Sequence, residues 1–387
     1  MSETAPTGSS AADLLQLVRT GRATTRAELR RLTGLSRTAV VTRVSALVDS
    51  GLLLLGEELP STGGRPPGAL VFNQDAAVVA GAAIGRSRSQ LGIFDLDGRE
   101  LVGDTRDHEV GVGPDELMPD VAARLARLLE GIEPPVAGIG LSLPGSVDPV
   151  HGSSVDSPIM GRWERVPLAP YLAEVCDAPL LLANDTEALA RSQLFPSSVV
   201  TDMLVLKAST GLGLGTVSGG RIVTGSVGTT GEIGHTRVPD ADGLVCRCGA
   251  TGCLETLAGG WALVQRMTRS GRPVAHVREL VALALEGDAV ARGLLRDAGR
   301  QVGEVLAVAV NLLNPRAVVI GGDLAGAFDL FVAGVRESVY ALATATAVRD
   351  LAFLPAAHGD SSGLVGCAAL AIEHALRPEA VDARLTA

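Results

Sequence analysis

Gly231-Glu232-Ile233-Gly234-His235, followed after ten intervening residues by Cys246-Arg247-Cys248-Gly249-Ala250-Thr251-Gly252-Cys253-Leu254-Glu255, is the stretch from which the rest of the chain can be read. Three of the five cysteines fall within eight positions, separated by glycine or arginine rather than by hydrophobes, with a histidine upstream. Thiolates and an imidazole are soft or borderline donors, and four of them close a tetrahedron around Zn2+. His235, Cys246, Cys248 and Cys253 are therefore the candidate ligands of a structural zinc. A chance cluster and a disulfide are the alternatives. Glu232 and Glu255 flank the donors, so folding this knuckle around a metal also fixes two hydrogen-bond acceptors in space. The pattern implies a small-molecule site organised by a metal.

Working outward, 387 residues with 47% apolar content are too many for one ordinary core and predict two or three domains of a globular protein. No N-terminal stretch joins basic residues to an apolar run, and the apolar segment from Val302 to Ile320 is broken by Asn311, Asn314 and Pro315. Neither export nor membrane insertion is expected, which points to the cytoplasm, where thiols stay reduced. Cys176 and Cys367, in apolar surroundings, read as core residues. A net charge of −10 argues against a protein coated in nucleic acid, but does not say where the charges lie.

The N-terminal segment differs in kind. Arg19, Arg22, Arg26, Arg30, Arg31, Arg37, Arg43 and Arg65 crowd there against few acids, an asymmetry that suits a nucleic-acid contact. A helix is predicted near Ala11 to Thr20, a second from a Thr25/Glu28 capping box, a turn at Gly34, and a third helix capped by Ser36 and running to about Ser50. Val40, Val44, Leu47 and Val48 form its inward stripe, leaving Ser36, Arg37, Thr38, Thr42, Arg43 and Ser45 to meet base edges and phosphates. Gly51 to Glu57 and Ala69 to Phe72 read as the strands of a wing, with Arg65 in the Gly/Pro-rich loop between them placed to enter a minor groove. A solvated helical bundle with a Gly/Pro linker is the bland alternative.

From about Ala76 short β-rich runs alternate with helical stretches. Val78 to Ile84 and Leu91 to Asp95 read as a hairpin, Pro114 to Leu129 as a helix, and Val136 to Leu143, Leu180 to Ala183, Met203 to Lys207 and Ala317 to Ile320 as strands. A glycine-rich turn is expected at Ser209 to Gly215, a long helical region from Gly259 to Leu313, and a last helix from Leu364 to Leu376. Two α/β lobes follow.

The motif G-E-x-G-H, then C-x-C-G-x-x-G-C-x-E, complete in Gly231 to Glu255, resembles the signature of the ROK family of sugar kinases and sugar-responsive repressors. The resemblance implies a two-lobed actin-like ATPase fold with a zinc knuckle over residues 73–387, the first lobe about 73–190 plus 364–387 and the second about 191–363. It also implies a winged helix-turn-helix over 1–72 that binds a double-stranded operator. His235, Cys246, Cys248 and Cys253 would then hold zinc, and Asn184, Asp185, Glu232, His235 and Glu255 would face a sugar or sugar phosphate. One imidazole can serve both because its two nitrogens are distinct. Dimers and tetramers are usual in the resembling family.

In the family's kinases Asp185 would take the proton from the attacking hydroxyl. Thr210, Gly211 and Gly213 resemble the second phosphate loop, and Gly321 and Gly322 the glycines bordering an adenosine, although glycines also serve tight turns with no nucleotide present. The first phosphate loop departs from the kinase pattern D-x-G-G-T: aligned through Gly81 and Gly85, this chain has Ala83, Gly85, Arg86 and Ser87. The metal-positioning acid is missing and a large cation replaces a glycine. The expected function is therefore a sugar-responsive transcriptional regulator, a repressor, without ATP and Mg2+. An ATP-dependent sugar kinase with a DNA-binding appendage, and a body that only dimerises, are the rivals.

Overall fold

In the computed structural model, which describes residues 10–58, 68–155, 162–226 and 228–386, the chain begins with three short helices, α1 (Ala11–Arg19), α2 (Arg26–Thr33) and α3 (Arg37–Asp49). Side chains start each of them. Ser10 with Asp13 and Thr25 with Glu28 form capping boxes, and the Ser36 hydroxyl accepts from the amide of Ala39. Gly34 joins α2 to α3 at φ 70°, in the left-handed region. The antiparallel pair β1 (Leu53–Glu58) and β2 (Gly68–Phe72) follows. The intervening loop with Arg65 lies outside the described residues.

The first lobe is one sheet in the order β5-β4-β3-β6-β9. β3 (Val78–Ile84), β4 (Arg88–Asp95) and β5 (Glu100–Asp107) form an antiparallel meander; α4 (Pro114–Leu129) crosses to β6 (Val136–Leu143). A small ribbon, β7 (Val147–Asp148) with β8 (Ser153–Ser154), and a turn of helix, α5 (Ala169–Leu172), precede β9 (Leu180–Asn184) and α6 (Asp185–Leu194). The second lobe repeats the scheme in the order β12-β11-β10-β13-β14. Its meander is β10 (Met203–Ala208), β11 (Leu212–Ser218) and β12 (Arg221–Ile222). α7 (Glu255–Ala258), α8 (Gly260–Arg269), α9 (Val277–Leu285) and α10 (Ala289–Leu313) lead to β13 (Ala317–Gly321). α11 (Phe328–Leu342), α12 (Ala345–Val348), β14 (Ala352–Pro355), α13 (Ser362–Ala375) and α14 (Pro378–Thr386) complete the chain. Among the described residues no helix is long and apolar enough to cross a membrane.

The lobes exchange a helix. α6 leaves the last strand of the first lobe yet packs on β10 and β11, whereas α13 leaves the last strand of the second and packs on β3 and β6. The two helices cross closely because Gly366 has no side chain: a Cβ there would lie 1.8 Å from the carbonyl oxygen of Ala188. The floor of the cleft is thus built from both halves of the sequence.

Three expectations are corrected. Leu212 to Gly215 is strand β11 rather than a turn, because leucines alternate with glycines at period two and bury Leu212 and Leu214 in the second-lobe core. The helical region after Gly259 is three helices, interrupted around Pro273 and at Gly287, where Asp288 caps α10 through the amides of Val290 and Ala291. The hairpin of the first lobe has a third strand, β5, which the pattern did not reveal because this edge strand is exposed along nearly its whole length and has no apolar alternation.

The N-terminal helices are not a separate bead. An apolar cluster containing Leu14, Leu29, Leu47 and Leu70 continues into Val79, Phe94, Leu364, Ile372 and Val381. On α14, Arg384 donates to the carbonyls of Ser50 at 3.3 Å and Ala76 at 3.1 Å, tying head to body. Replacing Arg384 by alanine is expected to lower unfolding stability by about 1–2 kcal/mol, since both carbonyls lose a charged donor. Urea unfolding followed by circular dichroism checks this, and an unchanged midpoint would show the two bonds to be dispensable.

Candidate functional site

The cleft between the lobes encloses a cavity of about 250 Å3, and Asn184, Asp185, Glu232, His235 and Glu255 all line it. Asn184 ends β9 and caps α6, its side-chain oxygen accepting from the amide of Glu187 at 2.6 Å. The structure therefore gives it the ordinary capping duty of an Asn-Asp pair as well as a place at the cleft. Asp185, next along, forms an ion pair with Lys207 on β10 at 2.8 Å. Burial works to lower the Lys207 pKa, but the charge and hydrogen bond of Asp185, with Asp323 and Glu255 beyond, outweigh it and hold the ammonium above its ordinary value. Lys207 was not singled out from the sequence, where a lone lysine in an apolar strand carries no visible partner.

Glu232 and His235 sit on a short 3-10 turn that Gly231 brings against β11, with the Leu214 amide donating to the Gly231 carbonyl at 2.8 Å. Burial, with Asp185 and Glu255 nearby, raises the Glu232 pKa against the opposing effect of His235. Glu255, buried at the start of α7, accepts from the Leu212 amide at 3.1 Å and the Trp261 indole at 2.9 Å. Trp261 in turn lies under the Arg247 guanidinium, 4.6 Å from the ring centroid, so the knuckle and Glu255 are braced together.

The knuckle brings four donors together. The donor atoms of His235, Cys246, Cys248 and Cys253 all lie within 4.8 Å of one another. Cys246 Sγ is 3.7 Å from His235 Nδ1, and Cys248 Sγ is 3.8 Å from Cys253 Sγ. Bonds of about 2.3 Å to a tetrahedral ion give sulfur–sulfur edges of about 3.8 Å. All five cysteines are free thiols, and a disulfide needs sulfurs about 2.05 Å apart, so the disulfide alternative fails. Burial and the neighbouring sulfurs push the Cys253 thiol up to about 12. Such crowding of sulfurs is relieved by a cation, so the donor set fits a metal. The imidazole divides as its two nitrogens allow: Nδ1 faces the sulfurs and Nε2 lies 3.7 Å from Glu232 on the cleft side.

Thr210, Gly211, Gly213 and Gly322 also line the cavity, whereas Gly321 is absent from its wall. Packing alone accounts for several of these glycines. A Cβ on Gly213 would lie 2.2 Å from Thr186 Oγ1, one on Gly211 2.8 Å from Glu255 Oε2, and one on Gly321 2.8 Å from a Leu189 methyl. At the same end of the cleft the lobes touch: Ser87 Oγ is 3.0 Å from His276 Nε2, and Asp107 pairs with both Arg88 and Arg278, at 2.7 and 3.4 Å.

In the head, Ser36, Arg37, Thr38 and Thr42 are exposed on the N-terminal half of α3. Arg43 is half-buried rather than outward, with Nη1 buried and without a hydrogen-bond partner among the described residues.

The ROK family model matches residues 79–374. The chain is 30% identical over 307 residues to a glucokinase of Thermotoga maritima, covering 75% of this chain and 96% of that protein. It is 25% identical over 356 residues to a xylose repressor of Bacillus spizizenii, covering 91% of each. A solved ROK family transcriptional regulator, a homolog of the E. coli MLC protein, superposes with a TM-score of 0.80 at 23% identity over 97% of this chain and 98% of that one. The last likeness shows that the fold is shared over 97% of this chain. With the family model spanning the two lobes, the cleft and the knuckle, this chain belongs to the ROK family.

Proposed function

We propose that this protein is a sugar-responsive transcriptional repressor, with residues 1–72 acting as a winged helix-turn-helix on a two-fold DNA operator and the cleft taking a sugar or sugar phosphate. The observation that carries the reading is the pairing of Asp185 with Lys207 inside a cleft otherwise equipped with hydrogen-bonding side chains. A carboxylate held by an ammonium at 2.8 Å is fixed in place as a hydrogen-bond acceptor for hydroxyls. Arg86, standing where the family's kinases carry a glycine, further suits retention of binding without phosphoryl transfer. The full-length likeness to a xylose repressor supports the same reading.

Zinc is the ion that a His/Cys3 set favours, and when bound it supplies a closed, structural centre rather than a reactive one. His235, Cys246, Cys248 and Cys253 would hold it, which leaves Glu232, Glu255 and the free His235 nitrogen aimed at hydroxyls. In a homodimer or homotetramer two heads address half-sites at a fixed spacing, and a ligand that favours one closure of the lobes biases that spacing. The head is joined to the exchanged helix α13 through one apolar cluster, so lobe movement has a packed route to it.

A sugar kinase with a DNA-binding appendage is the competing reading, favoured by the retained Asp185 and the glucokinase relative. A coupled assay with ATP, Mg2+ and a panel of sugars separates the two. We expect turnover more than a hundredfold below the ~1–1000 per second common among enzymes. Sustained turnover of many per second would overthrow the repressor reading, as would failure of every sugar to alter operator binding in a gel-shift titration.

A further inference from the structure

Four cationic side chains line the cleft among the described residues: Arg86, Arg88, Lys207 and Arg278. Three are matched by carboxylates. Lys207 meets Asp185 at 2.8 Å, Arg88 meets Asp107 at 2.7 Å, and Arg278 lies between Asp107 at 3.4 Å and Asp323 at 3.8 Å. Arg86 is the exception, with no ion pair or hydrogen bond among the described residues, although it is half-buried. The carboxylate whose charge reaches it, Glu255, already accepts from the Leu212 amide and the Trp261 indole. The other charged neighbour is Arg247, and the two cations repel.

A guanidinium has five N–H donors in a rigid fork, and withdrawing it from water without an acceptor is costly. The fork matches a carboxylate or a phosphate, whereas a single hydroxyl fills only one of its positions. Glu232, Glu255 and His235 line the same cavity and can accept from or donate to hydroxyls, so the cleft holds groups for both the hydroxyls and an anionic substituent. We propose that the ligand of this cleft is an anionic sugar, its hydroxyls toward Glu232 and His235 and its carboxylate or phosphate seated on the Arg86 guanidinium. This rests on the reading of the cleft as a carbohydrate site and narrows the class of carbohydrate it takes. Removal of Arg86 also removes an unpaired charge, so the unliganded protein is not expected to lose stability.

Isothermal titration of the full chain with neutral hexoses and pentoses, their terminal phosphates, the corresponding uronates and inorganic phosphate tests this. At least one anionic sugar is expected to bind about tenfold or more tightly than its neutral parent. Arg86→Ala should weaken that ligand about 10–100-fold while leaving neutral sugars unchanged, and Arg86→Lys should recover part of the loss through charge without the fork. Preference among the phosphates and uronates identifies which anion is read. Neutral sugars binding as tightly as their anionic counterparts, or an Arg86→Ala variant that weakens both alike, overturns the proposal and leaves the carbohydrate reading standing. Failure of every sugar to bind overturns both. Should Arg86→Ala fail to fold, the salt dependence of wild-type binding decides: affinity for the anionic sugar must fall as ionic strength rises, and a flat profile counts against the ion pair.

Discussion

Replacing Cys248 by serine is expected to drop bound transition metal from about one ion per chain to a small fraction of that, and to abolish the shift in melting temperature that sugar produces. Cys248 is the exposed member of the knuckle, so the change of side chain has little packing cost of its own. What disappears is one of four donors. A hydroxyl is a far weaker ligand than a thiolate for this class of ion, and structural zinc contributes about 10–16 kcal/mol of apparent binding energy in small zinc-stapled folds, much of which is folding energy. Without the ion the loop from His235 to Cys253 is left with short-range turns, two isolated β-bridges, Arg237 to Cys253 and Val245 to Thr251, the buried Ala241, the Gln301 to Asp240 hydrogen bond and the Arg247 to Trp261 contact, none of which fixes the four donors. Glu232 and Glu255 lie at its ends, so affinity for the ligand falls with the metal. Elemental analysis checks the first part and calorimetric titration the second. Cys176→Ser, remote from the knuckle, should retain full metal. A wild-type chain free of transition metal, or a Cys248→Ser variant that keeps it, would end the metal reading.

Gly231→Ala should lower stability by about 2–4 kcal/mol and remove sugar binding with it. The residue has φ 87°, and a Cβ there would sit 1.7 Å from the carbonyl oxygen of Leu214, a backbone atom in the middle of strand β11. A flexible side chain could swing aside, but a strand carbonyl paired in a sheet cannot. The chain must therefore pull the 231–235 turn off the strand, carrying Glu232 away from the cleft and His235 away from Cys246. Urea unfolding with a parallel titration of ligand measures both effects. Retention of the wild-type midpoint and affinity would mean that the turn is not held against β11 as described.

The head and the knuckle were legible for the same reason. Ser10, Thr25, Ser36 and Gly34 act on amides and dihedral angles a few residues away, and the knuckle donors are set by turns at Gly249 and Gly252, both at positive φ. The buried strands β3, β6, β9, β10 and β13 were legible from apolar runs that need no knowledge of their neighbours. Strand β5 was hidden by its exposure, and the glycines of β11 were misread because what they accommodate is not nearby in sequence: α6 lies against them, placing Thr186 and Ala190 where side chains would stand.

The order of helices and strands, the caps and the cluster of soft donors follow from interactions among residues close in the chain, whose geometry bond angles and dihedral preferences already restrict. The partnership of Asp185 with Lys207, the lack of an ion pair at Arg86 among the described residues, the bracing of Glu255 by Trp261 and the exchange of α6 and α13 between lobes do not follow in this way. Charge pairing and desolvation depend on separations of a few ångströms between groups that the backbone alone leaves free to be far apart. Only when two sheets close over a shared pair of helices does it become settled which cation is neutralised and which is left facing the cleft.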